Sequence, residues 1–167
     1  MRTLNDLPIA FENNARSQSV AILNEVLADT MTLRNLSKKH HWRMSGATFY
    51  QPRLPPDKHY EEQAELVDMI ADRIIELGGI SVAMAPDVSE IAKMPRPPKG
   101  RDDMPSQLAR ILEAHQLILR QAHEGGSKAD ESDDDGTNDM LMSNVIWTNE
   151  PQVWFVAEHL VTTQLEA

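Results

Sequence analysis

VAILNEVLADTMTLRNLSKKHHWRM, residues 20–44, is the stretch on which the fold turns. Val20, Leu23, Leu27 and Met31 recur at the three- and four-residue spacing that lines one face of an α-helix. Ser17 upstream is predicted as the N-cap, and Ser45-Gly46 closes the run after Met44. His41 stands eighteen residues beyond Leu23, or five turns at about 3.6 residues per turn, so it is predicted on the same apolar face. A histidine at the inner end of a long helix is the first candidate for chemistry.

Working outward, three more helical runs follow. Pro52, Pro55 and Pro56 are poor helix-interior residues but tolerable openers, so a second helix is predicted from about Pro56-Asp57, with Val67, Ile70, Ile74 and Leu77 as its core stripe and a stop at Gly78-Gly79. Residues 80–100 contain Pro86, Pro95, Pro97 and Pro98 and read as a long crossover, with a short helix at VSEIA. A third helix is predicted from Pro105 to His123, with Leu108, Ile111, Leu112, His115 and Ile118 or Leu119 inward, ending at Gly125-Gly126. SKADESDDDG, residues 127–136, reads as an acidic loop. The last helix is predicted from about Thr137 towards Leu160, with Leu141, Val145, Thr148 and Phe155 on one side and a bend near Glu150 imposed by Pro151. The expected fold is all-α: a four-helix bundle with a short helix in the long middle crossover. Residues 1–16 form an N-terminal extension and 17–165 one bundle domain, within the usual single-domain range of about 100–200 residues.

Composition narrows the chemistry. The 167 residues include no cysteine, which excludes disulfides and thiolate metal sites and leaves nitrogen and oxygen ligands. The net charge of −10 repels phosphate backbones and favours cations. The N-terminus lacks a signal-peptide apolar core and no run approaches the ~18 apolar residues of a membrane span, so a soluble cytoplasmic protein is expected.

No Glu is followed three residues later by His, so the Glu-x-x-His pairs that hold metal inside a single bundle are missing. In their place stand His41 and an acidic series on the second helix: Asp57, Glu61, Glu65, Asp68 and Asp72. Its spacings of four, four, three and four residues keep the carboxylates on one helical side. Such a series is ordinarily a solvated face. Asp68 and Asp72 adjoin Val67, Ile70 and Ile74, so they are expected to be partly buried and to need a metal or a basic partner. His59, His115, His123 and His159 read first as ordinary helical histidines.

LNEVLADTMTLRNLSKKHHWRMSGATFYQ (23–51), DKHYEEQAELVDMIADRIIELGG (57–79) and TNDMLMSNVIWTNEPQVWFVAEHL (137–160) together resemble the Dps family of mini-ferritins, over most of residues 20–165. The resemblance implies a ferritin-like four-helix bundle, subunits assembled into a hollow homo-dodecamer, and iron oxidised by hydrogen peroxide or dioxygen at sites between two-fold-related subunits. Carried over position by position, His41 matches the first ligand histidine and Asp57 an acidic position on the same subunit. Asp68 and Asp72 match the pair that the partner subunit supplies. Trp42 would lie beside the site, where it could intercept oxidising equivalents, while packing is the expected role of Trp154. In the family an acidic segment at the start of the last helix lines three-fold pores, and Asp134, Asp135 and Asp139 are the candidates here.

Two positions depart from the family pattern. Arg53 stands where the second ligand histidine is expected, and a guanidinium cannot ligate a metal. Asp72 replaces the usual glutamate. These leave open a ferroxidase, a site rebuilt around His59, or a non-catalytic shell protein. A DNA-compacting role is disfavoured, because the termini lack basic tails and MPRPPKGR, with Arg96, Lys99 and Arg101, is the one basic patch.

Overall fold

The computed structural model describes residues 4–5, 7–9, 12–43, 54–100 and 102–165. Among these, every regular element is helical: α1 (Asn13–Arg43), α2 (Leu54–Glu76), α3 (Ala85–Ile91), α4 (Met104–Asp130), α5 (Asp135–Asp139) and α6 (Trp147–Leu165). A π-helical stretch, Met140–Ile146, joins α5 to α6 in one rod. α1 packs on α2 and α4, and the rod packs on α4 and touches α2. The four-helix bundle with a short helix in its crossover is therefore the observed fold. Its core draws Leu23 and Leu27 from α1, Ile70 and Ile74 from α2, Ile118 from α4 and Leu141 from the rod, all without exposed surface.

α1 starts at Asn13 rather than at Ser17. The cause is Arg16, a cation buried in the bundle's edge. Its guanidinium donates to the Leu77 carbonyl, to the Asn5 carbonyl at 2.7 Å and to Asn13 Oδ1 at 2.9 Å, which organises the first turn. α2 opens at Leu54, so Pro55 and Pro56 fall in its first turn, where a missing N–H costs nothing. It ends as the Gly pair predicts. Gly78 adopts φ +79°, and Gly79 N–H donates to Ile74 O while Gly78 N–H donates to Ile75 O, the paired bonds of a Schellman cap.

The second glycine pair does not end a helix. α4 runs straight through Gly125-Gly126 to Asp130. These glycines serve close approach instead. A Cβ on Gly125 would lie 2.6 Å from Ile22 and 3.2 Å from Leu141, and one on Gly126 would collide with Met142. The expected acidic loop is correspondingly short, since residues 127–130 belong to α4 and α5 begins at Asp135. Helicity also continues through Pro151 with no break at Glu150, and the irregularity is the π stretch upstream. Pro151 and Trp147 are both exposed, so the hydrogen bond that proline cannot make falls on the solvent side of the rod.

The crossover is held to α1 by side chains that read its backbone. Asn24 accepts from Val82 N–H and donates to the Ile80 carbonyl. Asp29, fully buried, accepts from the N–H groups of Lys93 and Met94 and from the Gln121 amide. Both polar residues sit in the stretch whose apolar spacing identifies α1.

Candidate metal centre

Register brings His41 and Asp57 together. His41 occupies the last turn of α1 and Asp57 the first turn of α2, where a carboxylate is favoured by the positive end of the helix dipole. The His41 side chain keeps 10% of its surface exposed, and its Nδ1 lies 3.6 Å from Asp57 Oδ1. That nitrogen is buried without a hydrogen-bond partner. A buried imidazole nitrogen left unsatisfied beside a carboxylate carries a desolvation cost that a bound cation would relieve.

A third group shares the carboxylate. Lys38, one turn before His41, donates from Nζ to Asp57 Oδ1 at 2.8 Å. Its ammonium also lies 5.1 Å from the centre of the Tyr60 ring, and the Arg34 guanidinium lies 5.9 Å from the same ring. Reading residue types at ligand positions does not find Lys38. Its i, i+3 relation to His41 is the signal that would have.

Asp68 and Asp72 lie eleven and fifteen residues beyond Asp57 on α2, roughly 16 and 22 Å along its axis at about 1.5 Å per residue. They do not meet His41 within one chain. Both are exposed, not partly buried as expected. The reason is angular: a residue next to the core stripe in sequence is turned about 100° from it on a helix. Among the described residues no three His, Asp or Glu side chains converge on a point that could hold a metal ion.

A model of the ferritin-like domain matches residues 20–165. The solved structure of DpsC from Streptomyces coelicolor is 51% identical, with a TM-score of 0.93 over 95% of this chain and 92% of that one. The chain is a Dps-family member of the ferritin-like superfamily. An uncharacterised protein of Kitasatospora aureofaciens is 45% identical over 75% of this chain and 84% of its own length. The DNA protection during starvation protein of Agrobacterium fabrum is 26% identical over 95% of each.

Other candidate residues of this Dps chain sit elsewhere. His59 is half-buried, with its ring edge-on to Phe155 of α6 at 5.4 Å. Burial lowers its pKa, and Lys58 and His159 add to that while Glu62 opposes it. Asp134 is not a free acid of a loop. Fully buried, it caps α5 by accepting from Thr137 N–H and pairs with Arg73 at 2.7 Å. Burial alone would raise its pKa, but Ser19, Thr137 and Arg73 outweigh that and hold it below the usual carboxylate range. Asp135 and Asp139 are exposed. Trp42 and Trp154 are 74% and 66% exposed, so Trp154 does not have the packing role expected of it within its own chain. Arg53 lies outside the described residues.

The bundle interior of this Dps subunit is itself polar at one level. Asn149 donates to the Val145 carbonyl, so its Oδ1 accepts, from Gln63 Nε2 at 3.1 Å and from His115 Nδ1–H at 2.7 Å. Gln63 also donates to Gln152, which in turn donates to Glu62 at 2.7 Å. Amides occupy most of this core network, which suits neutral hydrogen bonding rather than metal binding.

Proposed function

We propose that this Dps chain is an iron-storing mini-ferritin that oxidises Fe(II) with hydrogen peroxide or dioxygen and holds the ferric product inside a hollow shell of identical subunits. The observation that supports this reading is the buried, unpartnered His41 Nδ1 facing the Asp57 carboxylate. Imidazole nitrogen and carboxylate oxygen suit Fe(II), and carboxylates favour the more highly charged ferric product. His41 and Asp57 are half a ligand set. Asp68 and Asp72, exposed on α2, are the half that a two-fold-related copy would receive. Two Fe(II) ions supply two electrons, and hydrogen peroxide with two protons takes them up to give two waters. Trp42, exposed next to His41, is placed in this reading to intercept stray oxidising equivalents. Asp135 and Asp139 are the proposed pore acids, while Asp134, buried and paired with Arg73, is committed within its own chain. Assembly is proposed as a homo-dodecamer, to be measured by light scattering on the purified protein.

A second reading is a shell protein without oxidase activity. Lys38 already neutralises Asp57, and Arg53 stands where the family has a histidine, both of which favour it. The two readings part in one experiment. Fe(II) is added anaerobically to purified protein, then hydrogen peroxide, and ferric absorbance is followed. The oxidase reading expects oxidation well above the buffer rate and its loss in His41→Ala. Oxidation no faster than buffer refutes it. With a net charge of −10, the chain is expected to leave DNA unretarded in a low-salt mobility shift.

A further inference from the structure

We infer that Lys38 sets the affinity and ion count of the His41–Asp57 site by competing with the incoming metal for the Asp57 carboxylate. This rests on the proposed metal-binding reading of that site. Lys38 and His41 lie one turn apart on α1, and both reach Asp57 Oδ1, at 2.8 Å and 3.6 Å. The ammonium is held from two sides: the carboxylate takes its hydrogen bond, and the Tyr60 ring faces its charge. Cation–π contact and ion pairing both favour a fixed position over a free-swinging side chain.

The consequence follows from charge. One carboxylate carries one negative charge, and Lys38 cancels it. A divalent ion bound between His41 and Asp57 must either displace the ammonium or sit within a few ångströms of a like charge, which is unfavourable at any effective dielectric of a protein surface. Lys38 thus weakens the first ion and disfavours a second on the same carboxylate. The role differs from structural support in sign, because removing a support weakens binding and removing a competitor tightens it.

The test uses the purified, assembled protein and Co(II), which binds nitrogen and oxygen ligands and is followed by calorimetry without turnover. Wild type, Lys38→Gln, Lys38→Arg and His41→Ala are compared, with circular dichroism and particle size checked for each. Lys38→Gln is expected to tighten His41-dependent Co(II) binding on the order of tenfold, since a partly exposed pair and a removed like charge together amount to about one decade. Lys38→Arg, which keeps the charge, is expected to stay near wild type. If Co(II) binds wild type in a His41-dependent way but Lys38→Gln matches it or binds more weakly, the competitor role is overturned and the site stands. If neither wild type nor Lys38→Gln shows binding that His41→Ala removes, the site reading itself fails, and the inference with it.

Discussion

Acid should loosen this bundle through two histidines buried without charge. His40 and His115 keep 2% and 1% of their surface exposed. In both, burial is the main cause that lowers the pKa from 6.5 to about 4, against hydrogen bonds to Gln107 and Asn149 that act the other way. The unfolded chain takes up these protons as pH falls below 6.5, whereas the folded chain does so only near 4. Between those values the unfolded state binds more protons, so stability falls with pH. The full shift corresponds to about 3 kcal/mol per histidine, reached near pH 4, and to about 2 kcal/mol each at pH 5. Two such groups at pH 5 amount to about 4 kcal/mol, a large part of the ~5–15 kcal/mol that a domain typically has. His59, shifted in the same direction, adds to the trend. The measurement is the urea midpoint by far-UV circular dichroism at pH 7, 6 and 5, at one protein concentration, for wild type and His115→Gln. Glutamine keeps a donor for Asn149 but does not titrate. The variant is expected to be less stable at pH 7 yet to lose roughly half of the acid dependence. An identical slope of stability against pH in the two proteins would refute the argument, because His115 would then not be the group that resists its proton.

Three further outcomes follow from contacts in the bundle. Asp29→Ala strands the N–H of Met94 and the Gln121 amide without an acceptor and should cost about 2–4 kcal/mol in urea unfolding, with the crossover amides of residues 93–94 exchanging faster in deuterium exchange. Gly125→Ala gains about 1 kcal/mol of helix propensity but puts a methyl 2.6 Å from Ile22 Cγ2, so the melting temperature should fall, and a rise would show that α1 can shift aside. Arg73→Met leaves the buried Asp134 carboxylate without its cation and should destabilise by about 3 kcal/mol at neutral pH, a loss that Asp134→Asn in the same chain partly restores.

What was legible in the sequence is what one helix can carry by its own period. The stripe from Val20 to Met31, the stripe from Val67 to Leu77 and the inward face of α4 all lie where spacing put them, because burial on a helix follows directly from residue number. Boundaries depended on chemistry that spacing does not contain. Gly78 and Gly125 look alike in a string, yet one ends a helix at positive φ and the other lets α4 lie against Ile22 and Leu141. Which of the two a glycine does is decided by a neighbour far along the chain. The early start of α1 has the same origin, since Arg16 finds its acceptors at Asn5 and Leu77.

The site is harder to read for a related reason. His41 could be placed by counting turns from Leu23, but Lys38 acquires meaning only when the first turn of α2 is laid across the end of α1. The acidic residues show the limit most sharply. Asp134 and Asp135 are neighbours of identical type, yet the first is sealed against Arg73 and Thr137 and the second faces solvent. A carboxylate committed to its own chain cannot serve a pore or a partner, because taking it away leaves a buried cation and an uncapped helix. Asp68, Asp72, Asp135 and Asp139, all turned outward, keep that freedom. For Asp68 and Asp72, the exposure that contradicts their expected partial burial is what a ligand offered to a second copy of the chain requires, and burial in the single chain would have argued against the proposed shared site.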